Sequence, residues 1–474
     1  MVLSNLCTPE EFDDALRKGL GRAVGHVRAA SAETVRKQLL HACTNYLGYD
    51  LQCEGSRALW LYEMLTLTGE AGWYCDEVLK VLDQIRAFPE DSRNLYEMIH
   101  LLAVFVRKGH TELRDVLLRK IFGFEASDDV IGDDLPVDVL GVDGVVEILR
   151  RYSRSGYTAF CLGNYLFDEA FKEFGASLKE ALLMAERDDE ILRTYLREMR
   201  EERKKEEKKT VSRQASSIEP PKHHWASEET LFSLLDGLPL ESEFLNSLPQ
   251  KIGMLWEHKS DYISLRNMFM VTAKNSKCNA KSEFLERVFS RLMAENDSGR
   301  RYCLLGAFAH TAMPRFEPSI LALVDSPVRV LSCEAVRALS NMSAPEIRAK
   351  SREMLEARLE RENWTCGFPL LTQSCQPEDL PLIIDALASV PSKTMNTDDL
   401  HSIVWDVIPL AKIGDPSAMA PIMLWVYENS PCANCRATSV SWLVENHTAP
   451  DELLTECLDD CDESIREVAL KSRK

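Results

Sequence analysis

Positive charge is in deficit: 56 lysines and arginines face 75 aspartates and glutamates, a formal net charge of −19 over 474 residues. A field of that sign repels phosphate backbones and anionic membrane surfaces at long range. Glycine (21) and proline (20) are sparse, which argues against a β-rich chain built on many tight turns. Long apolar runs are missing too. The most apolar stretch, Ile99 to Val106, spans eight residues, against roughly 20 for a helix that crosses a bilayer. Near the start, Glu10, Glu11, Asp13 and Asp14 stand where a secretory signal would be basic and then apolar. The expectation is a cytoplasmic protein with no membrane partner.

The signatures of common catalytic sites are absent as well. There is no G-x-x-x-x-G-K-S/T, no G-x-G-x-x-G, no H-E-x-x-H and no G-x-S-x-G. The ten histidines are dispersed: His26, His41, His100 and His310 sit singly in helical patterns, and His223-His224 fall in a polar stretch. A lone histidine on a helix is ordinarily packed or solvated, so no catalytic residue and no cofactor site is assigned.

Apolar residues make up 45% of the chain, and many recur at helical spacing. That suffices for packed interiors, and the length implies two to four units. Val328, Leu331, Ala335, Leu339 and Met342 recur at steps of three and four, one stripe of a helix. Before them, Asp325 and Ser326 are good helix caps and Pro327 suits a first turn. Small Ala335 and Ala338 invite a close neighbour. Asp325-Ser326-Pro327-Val328-Arg329 leading into Ala335-Val336-Arg337-Ala338-Leu339 resembles the second helix of a HEAT repeat. Asp462-Glu463-Ser464-Ile465-Arg466 with Val468-Ala469-Leu470 is similar to the same element at the other end.

A partner element recurs between them. Pro318, Pro345, Pro377, Pro416 and Pro450 each open a run with helical spacing, at intervals of 27, 32, 39 and 34 residues. Proline at a first helical position separates one helix from the next. The intervals fall short of the roughly 40–47 residues of regular HEAT units, so the repeats are degenerate. The resemblance covers about residues 300–474. It implies an all-α fold, an α-solenoid of antiparallel helix pairs, whose usual employment is to hold another macromolecule on an extended face.

The first 196 residues also read as helices: two over 10–47, then 73–88, 92–109, 111–122, 144–152 and 157–186. An acidic loop, 125–143, interrupts them with Asp128, Asp129, Asp133 and Asp134. Its order lacks the D-x-D-x-D-G pattern of a calcium loop, so a solvated or partner-facing role is expected. From Arg197 to Lys209 twelve of thirteen residues are charged, and a polar stretch ending in Pro220-Pro221 follows. These features set three parts: an N-terminal helical domain 1–196, a charged flexible linker 197–226 and a HEAT-like domain 227–474.

Two further stretches carry candidate chemistry. Cys432-Ala433-Asn434-Cys435, with His447, Cys457 and Cys461 downstream, resembles thiol-pair spacing at structural zinc. Against it, Ala437, Val440 and Leu443 already give that helix an apolar face, and Cys457 and Cys461 fall on core spacing after Leu453 and Leu454. The fourteen cysteines are therefore read as reduced core thiols, and no metal is assigned. Tyr49, Asp50, Glu54 and Arg57 group a phenol, two acids and a guanidinium between apolar helices. The plainer reading is a cap at Asp50 and a Glu54–Arg57 pair.

The expected function is a scaffold, adaptor or regulatory subunit with a protein partner. The alternative is a nucleic-acid-binding HEAT-like protein or a base-excising enzyme of the alkylpurine glycosylase kind. That alternative needs a basic concave face with an aromatic pocket; Arg300-Arg301 with Trp256 and Trp364 is the nearest material.

Overall fold

The structure is a computed structural model that describes residues 6–50, 57–85, 92–123, 141–155, 163–201, 204, 227–238, 261–275, 278–358 and 364–473. Among these residues the regular elements are all helical, with no strand. No helix among them is long and apolar enough to cross a membrane. The chain divides into two compact units, Met1–Pro221 with Asp451–Lys474, and Lys222–Pro450.

The first unit opens with α1 (Pro9–Lys18), α2 (Arg22–Ala29) and α3 (Ala32–Thr44), followed by α4 (Arg57–Leu67), α5 (Ala71–Gln84), α6 (Arg93–Arg107) and α7 (Arg114–Gly123). Then come α8 (Val142–Ser155) and α9 (Gly163–Asp188), which pack on each other. The sequence pattern predicts two helices over 10–47, and three form. Gly19 takes φ 75 and ends α1, while the Ser31 side chain accepts from Thr34 N and starts α3 afresh. α1 itself begins with a full capping box between Thr8 and Glu11 and with Pro9 in its first turn. α6 is buried along most of its length, from Leu95 to Val106, and it packs against α3, α4, α5 and α7.

The second unit contains α10 (Glu228–Gly237), α11 (Asp261–Asn275), α12 (Cys278–Ala294), α13 (Ser298–Leu305), α14 (Pro318–Leu321) and α15 (Arg329–Leu339). It continues with α16 (Pro345–Glu356), α17 (Gly367–Leu370), α18 (Leu380–Ala388), α19 (Thr397–Val407), α20 (Pro416–Asn429) and α21 (Ala433–Glu445). Two rows of neighbours run through it. α11, α13, α15, α17 and α19 each touch the next, and so do α16, α18 and α20. The rows are joined by α16 on α17 and α19 on α20, and α21 packs on α20.

Prolines start helices as their spacing predicts: Pro318, Pro345 and Pro416 are first-turn residues of α14, α16 and α20, and Pro377 opens a short 3-10 turn before α18. Pro327 departs from its expected place. α15 begins at Arg329, and Ser326 Oγ instead accepts the amide of Val328 at 3.2 Å, a local turn that competes with helix continuation. Ala335 is fully buried in the core of this unit.

Buried serines tie successive elements together. Ser332 Oγ donates to Val324 O at 2.6 Å, Ser351 Oγ to Gly367 O at 2.7 Å, and Ser439 Oγ to Met423 O at 2.5 Å. Each small hydroxyl lets two backbones approach and satisfies a carbonyl that water does not reach. The α16–α17 contact also needs Gly367, where an added Cβ would lie 2.8 Å from Leu355 Cγ and 3.1 Å from Ser351 O.

The C-terminal helices α22 (Asp451–Cys457) and α23 (Glu463–Ser472) pack on each other. Asp462 caps α23, accepting from Ile465 N at 3.1 Å. The sequence reading assigns this pair to the last repeat of 227–474. In the structure it makes its contacts with the start of the chain: Cys461 N donates to Gly19 O at 2.8 Å, Trp60 Nε1 to Asp459 O at 2.9 Å, and Arg22 Nε to Glu456 Oε1 at 2.8 Å. Arg28 adds a two-pronged pair with the Asp459 carboxylate. A repeat-like helix carries no label for which apolar surface it will cover. The glycine turn at 19–21 supplies a surface shallow enough for this one.

Candidate functional site

In the second unit, polar groups collect along the row α11, α13, α15, α17 and α19. Arg266 on α11 and Glu334 on α15 are 7% and 1% exposed. Arg266 Nε and Nη2 both donate to Glu334 Oε1, at 2.9 and 2.5 Å. Arg337, one turn on, donates to Glu334 Oε2 at 3.1 Å. Gly306 makes the pair possible, since a Cβ there would lie 2.7 Å from Arg266 Cγ and 2.8 Å from Arg266 O.

The seam continues through Cys333 on α15, Cys366 just before α17, and Asp406 on α19. The Cys333 thiol is held below its ordinary value by hydrogen bonding with Cys366, and Arg337 and Arg329 add to this against the cost of burial. Its partner Cys366 is pushed well up, by the same hydrogen bond and by burial. Burial raises the Asp406 carboxyl to about 7, and Arg337 only partly opposes it. Next to Asp406 on the helix, Trp405 is 67% exposed.

Farther along the same row, α19 meets the start of α21. His401 is half-buried on α19, and Cys432 and Cys435 are buried at the first turn of α21. One donor atom from each of the three lies within 4.8 Å of the others, with Cys435 Sγ 3.4 Å from His401 Nε2. Cys432 is the residue before the first helical turn, with φ −94 and ψ 125. Buried Ser430 fixes that approach: its Oγ accepts the Cys432 amide and donates to the Cys432 carbonyl, both at 3.1 Å. The neighbouring Cys435 thiol and the His401 imidazole pull the Cys432 thiol down despite its burial. A helix N-terminus favours the thiolate in the same sense.

Of the four sequence candidates for metal ligation, Cys432 and Cys435 are thus together. Cys457 and Cys461 are fully buried in the other unit. His447 is exposed beyond α21 with φ 55. His401, the third member, carries no local signal: it lies 31 residues before Cys432 on a different helix, and only the packing of α19 against the α21 start reveals it.

The remaining candidates resolve differently. The loop positions Asp128, Asp129, Asp133 and Asp134, residue Glu54, the greater part of 197–226, and Trp256 lie outside the described residues. Arg57 is 3% exposed; its Nη2 donates to Leu16 O at 2.5 Å, and its Nε is 3.9 Å from the equally buried Glu97. Its described contacts therefore build a core linkage between α1, α4 and α6. Arg300 donates to the carbonyls of Asp236 and Leu238 at 2.9 Å, and Arg301 to Glu295 O at 2.8 Å. Trp364 meets Phe368 edge-on at 5.8 Å. In the first unit a cleft of about 660 Å³ is lined by Arg114, Asp143, Glu147, Arg150 and Met184, with Arg114–Asp143 at 3.3 Å and Arg150–Glu147 at 3.4 Å.

Comparison with protein-family models, with curated proteins and with solved structures finds no match for this chain.

Proposed function

We propose that the chain is a protein-binding scaffold or regulatory subunit, with Lys222–Pro450 forming an α-solenoid of HEAT-like helix pairs that holds a protein partner. The observation that carries this reading is Trp405. An indole left 67% exposed beside a half-buried carboxyl, on the row that also bears Arg337 and His401, has the composition of an interface anchor. Tryptophan and arginine dominate binding hot spots, where a few large side chains supply most of the affinity. The proline-started helices, the two rows of neighbours and the serine ties support a repeat architecture. The net charge of −19 weighs against nucleic acid, and so does the use of Arg300 and Arg301 on local carbonyls.

The test is capture from a native lysate, with nuclease present, by the immobilised full chain and by its Trp405→Ala variant. The scaffold reading expects a stoichiometric protein retained by the first and released by the second, with equal helicity in both. Micromolar binding of DNA or RNA at moderate salt, with a salt slope near −0.9 per phosphate contact, overturns it in favour of the nucleic-acid reading.

A further inference from the structure

We propose that His401, Cys432 and Cys435 form a zinc site with three protein ligands and one open coordination position. The site rests on the geometry of these three residues, whatever partner the chain holds.

Tetrahedral zinc with bonds of about 2.3 Å to sulfur and 2.0–2.1 Å to nitrogen sets its ligand atoms about 3.5 Å apart for an S–N edge and about 3.8 Å for an S–S edge. The Cys435 Sγ to His401 Nε2 separation is 3.4 Å, and all three donor atoms lie within 4.8 Å of one another. Two soft sulfurs and one imidazole select zinc over calcium or magnesium, which take oxygen. The Cys-x-x-Cys segment bends one turn of chain around the site, and the first thiol precedes α21, where the amides of the helix start favour its thiolate. Ser430 pins the backbone of Cys432 from both sides, fixing the ligand before metal arrives.

No fourth His, Cys, Asp or Glu joins the group among the described residues. The two cysteines are buried, but His401 is half-buried and Asn434, between the two thiols, is exposed. Structural zinc is closed by four protein ligands, whereas three ligands leave a position for water or an incoming donor. The ring of Trp405 stands 6.5 Å from that of His401, so the exposed indole neighbours the site on its His401 side. Binding releases the thiol protons that remain, and the metal carries the developing charge.

The experiment titrates the full chain, reduced and metal-free, with Co²⁺ and then with Zn²⁺. One equivalent of Co²⁺ is expected to give thiolate-to-cobalt charge-transfer absorption and the visible bands of a four-coordinate ion, and one equivalent of Zn²⁺ to displace it. Cys435→Ser and His401→Gln lose the four-coordinate spectrum, while a Cys457→Ser/Cys461→Ser variant keeps it. Since a buried cysteine variant can fail to fold, wild type is also melted with chelator and with Zn²⁺ restored; a reversible rise in melting temperature on restoration is expected. Added imidazole should shift the visible bands, and unchanged bands would overturn the open position. Absence of a thiolate band at stoichiometric Co²⁺, or its survival in the His401 and Cys435 variants, overturns the site. So does a Cys432–Cys435 disulfide that persists when the other thiols are reduced.

Discussion

Gly21 lies against the backbone of Glu456: a Cβ added to Gly21 would stand 1.9 Å from the Glu456 carbonyl oxygen and 2.9 Å from its carbonyl carbon. The conflict is with backbone, so no side-chain rotation relieves it. It fixes why the C-terminal helices sit where they do in the first unit. Arg22, Arg28 and Trp60 hold Glu456 and Asp459 from either side of that one bare position. Gly21→Ala is therefore expected to cost at least about 1–3 kcal/mol by overpacking. It should release α22 and α23 first, seen as faster amide exchange across 451–473 with the second unit unaltered. Uniform exchange rates in both proteins would mean that the helices do not depend on this contact.

The Arg266–Glu334 pair makes a different kind of prediction. Both groups are nearly excluded from water, so removing Arg266 takes both donors from Glu334 Oε1 and leaves Arg337, on Oε2, to offset the charge. Arg266→Met is expected to destabilise the second unit by about 3–5 kcal/mol. The double variant Arg266→Met/Glu334→Leu should recover much of that loss, because the charge that remains, on Arg337, reaches solvent. A denaturant double-mutant cycle measures the coupling, and a double-variant loss equal to the sum of the two single losses would show that the pair contributes nothing beyond packing.

How much of this was legible beforehand follows from where each signal is stored. Helix starts are written locally: Thr8, Asp415 and Asp462 cap helices as their residue types announce, and four of the five spaced prolines begin the next element. Pro327 stands ahead of α15 and not inside it, because Ser326 Oγ holds the backbone in a local turn. The split of the first segment into three helices was also local, at Gly19 and Ser31, but apolar spacing spoke louder than the glycine. Long-range partners carry no such mark. Nothing near His401 names Cys435, nothing near Arg57 names Leu16 O, and the fit of Gly21 to Glu456 spans nearly the whole chain. Cys432-x-x-Cys435 is legible as a motif, but its spatial neighbour is not: Cys457 and Cys461, near in sequence, belong to the other unit, while His401 stands 3.4 Å from Cys435.

Asp379 should govern acid stability in the second unit. It is fully buried; it accepts from Arg348 Nε at 2.8 Å and Nη2 at 3.0 Å, from Arg352 Nη1 at 2.6 Å and from the Gln376 amide at 2.8 Å. Burial opposes ionisation, but these donors win and hold the carboxyl below its ordinary value. A lowered folded-state pKa means that the stabilisation is present above the unfolded value near 3.9 and is lost as pH falls through the folded value. Asp379→Asn should cost about 2–3 kcal/mol at pH 7, and the gap to wild type should narrow toward pH 3. A gap that stays constant with pH would assign the loss to packing alone.

Asp406 runs with the opposite sign. Burial raises its folded-state carboxyl to about 7, above the value near 3.9 that it takes in the unfolded chain. The folded protein therefore keeps a proton that the unfolded chain has released. The associated stability is complete below about pH 4 and declines as pH rises through 7, where the buried carboxyl must ionise. Three pKa units correspond to about 4 kcal/mol, and the partial solvent exposure of this side chain brings the expectation to about 2 kcal/mol. Asp406→Asn is neutral at every pH. It should match wild type at pH 4 and exceed it at pH 8, raising the melting temperature only on the alkaline side. Denaturant unfolding at those two pH values decides the matter: a variant less stable at pH 8 would mean that ionised Asp406 is held by Arg337 more firmly than burial opposes it.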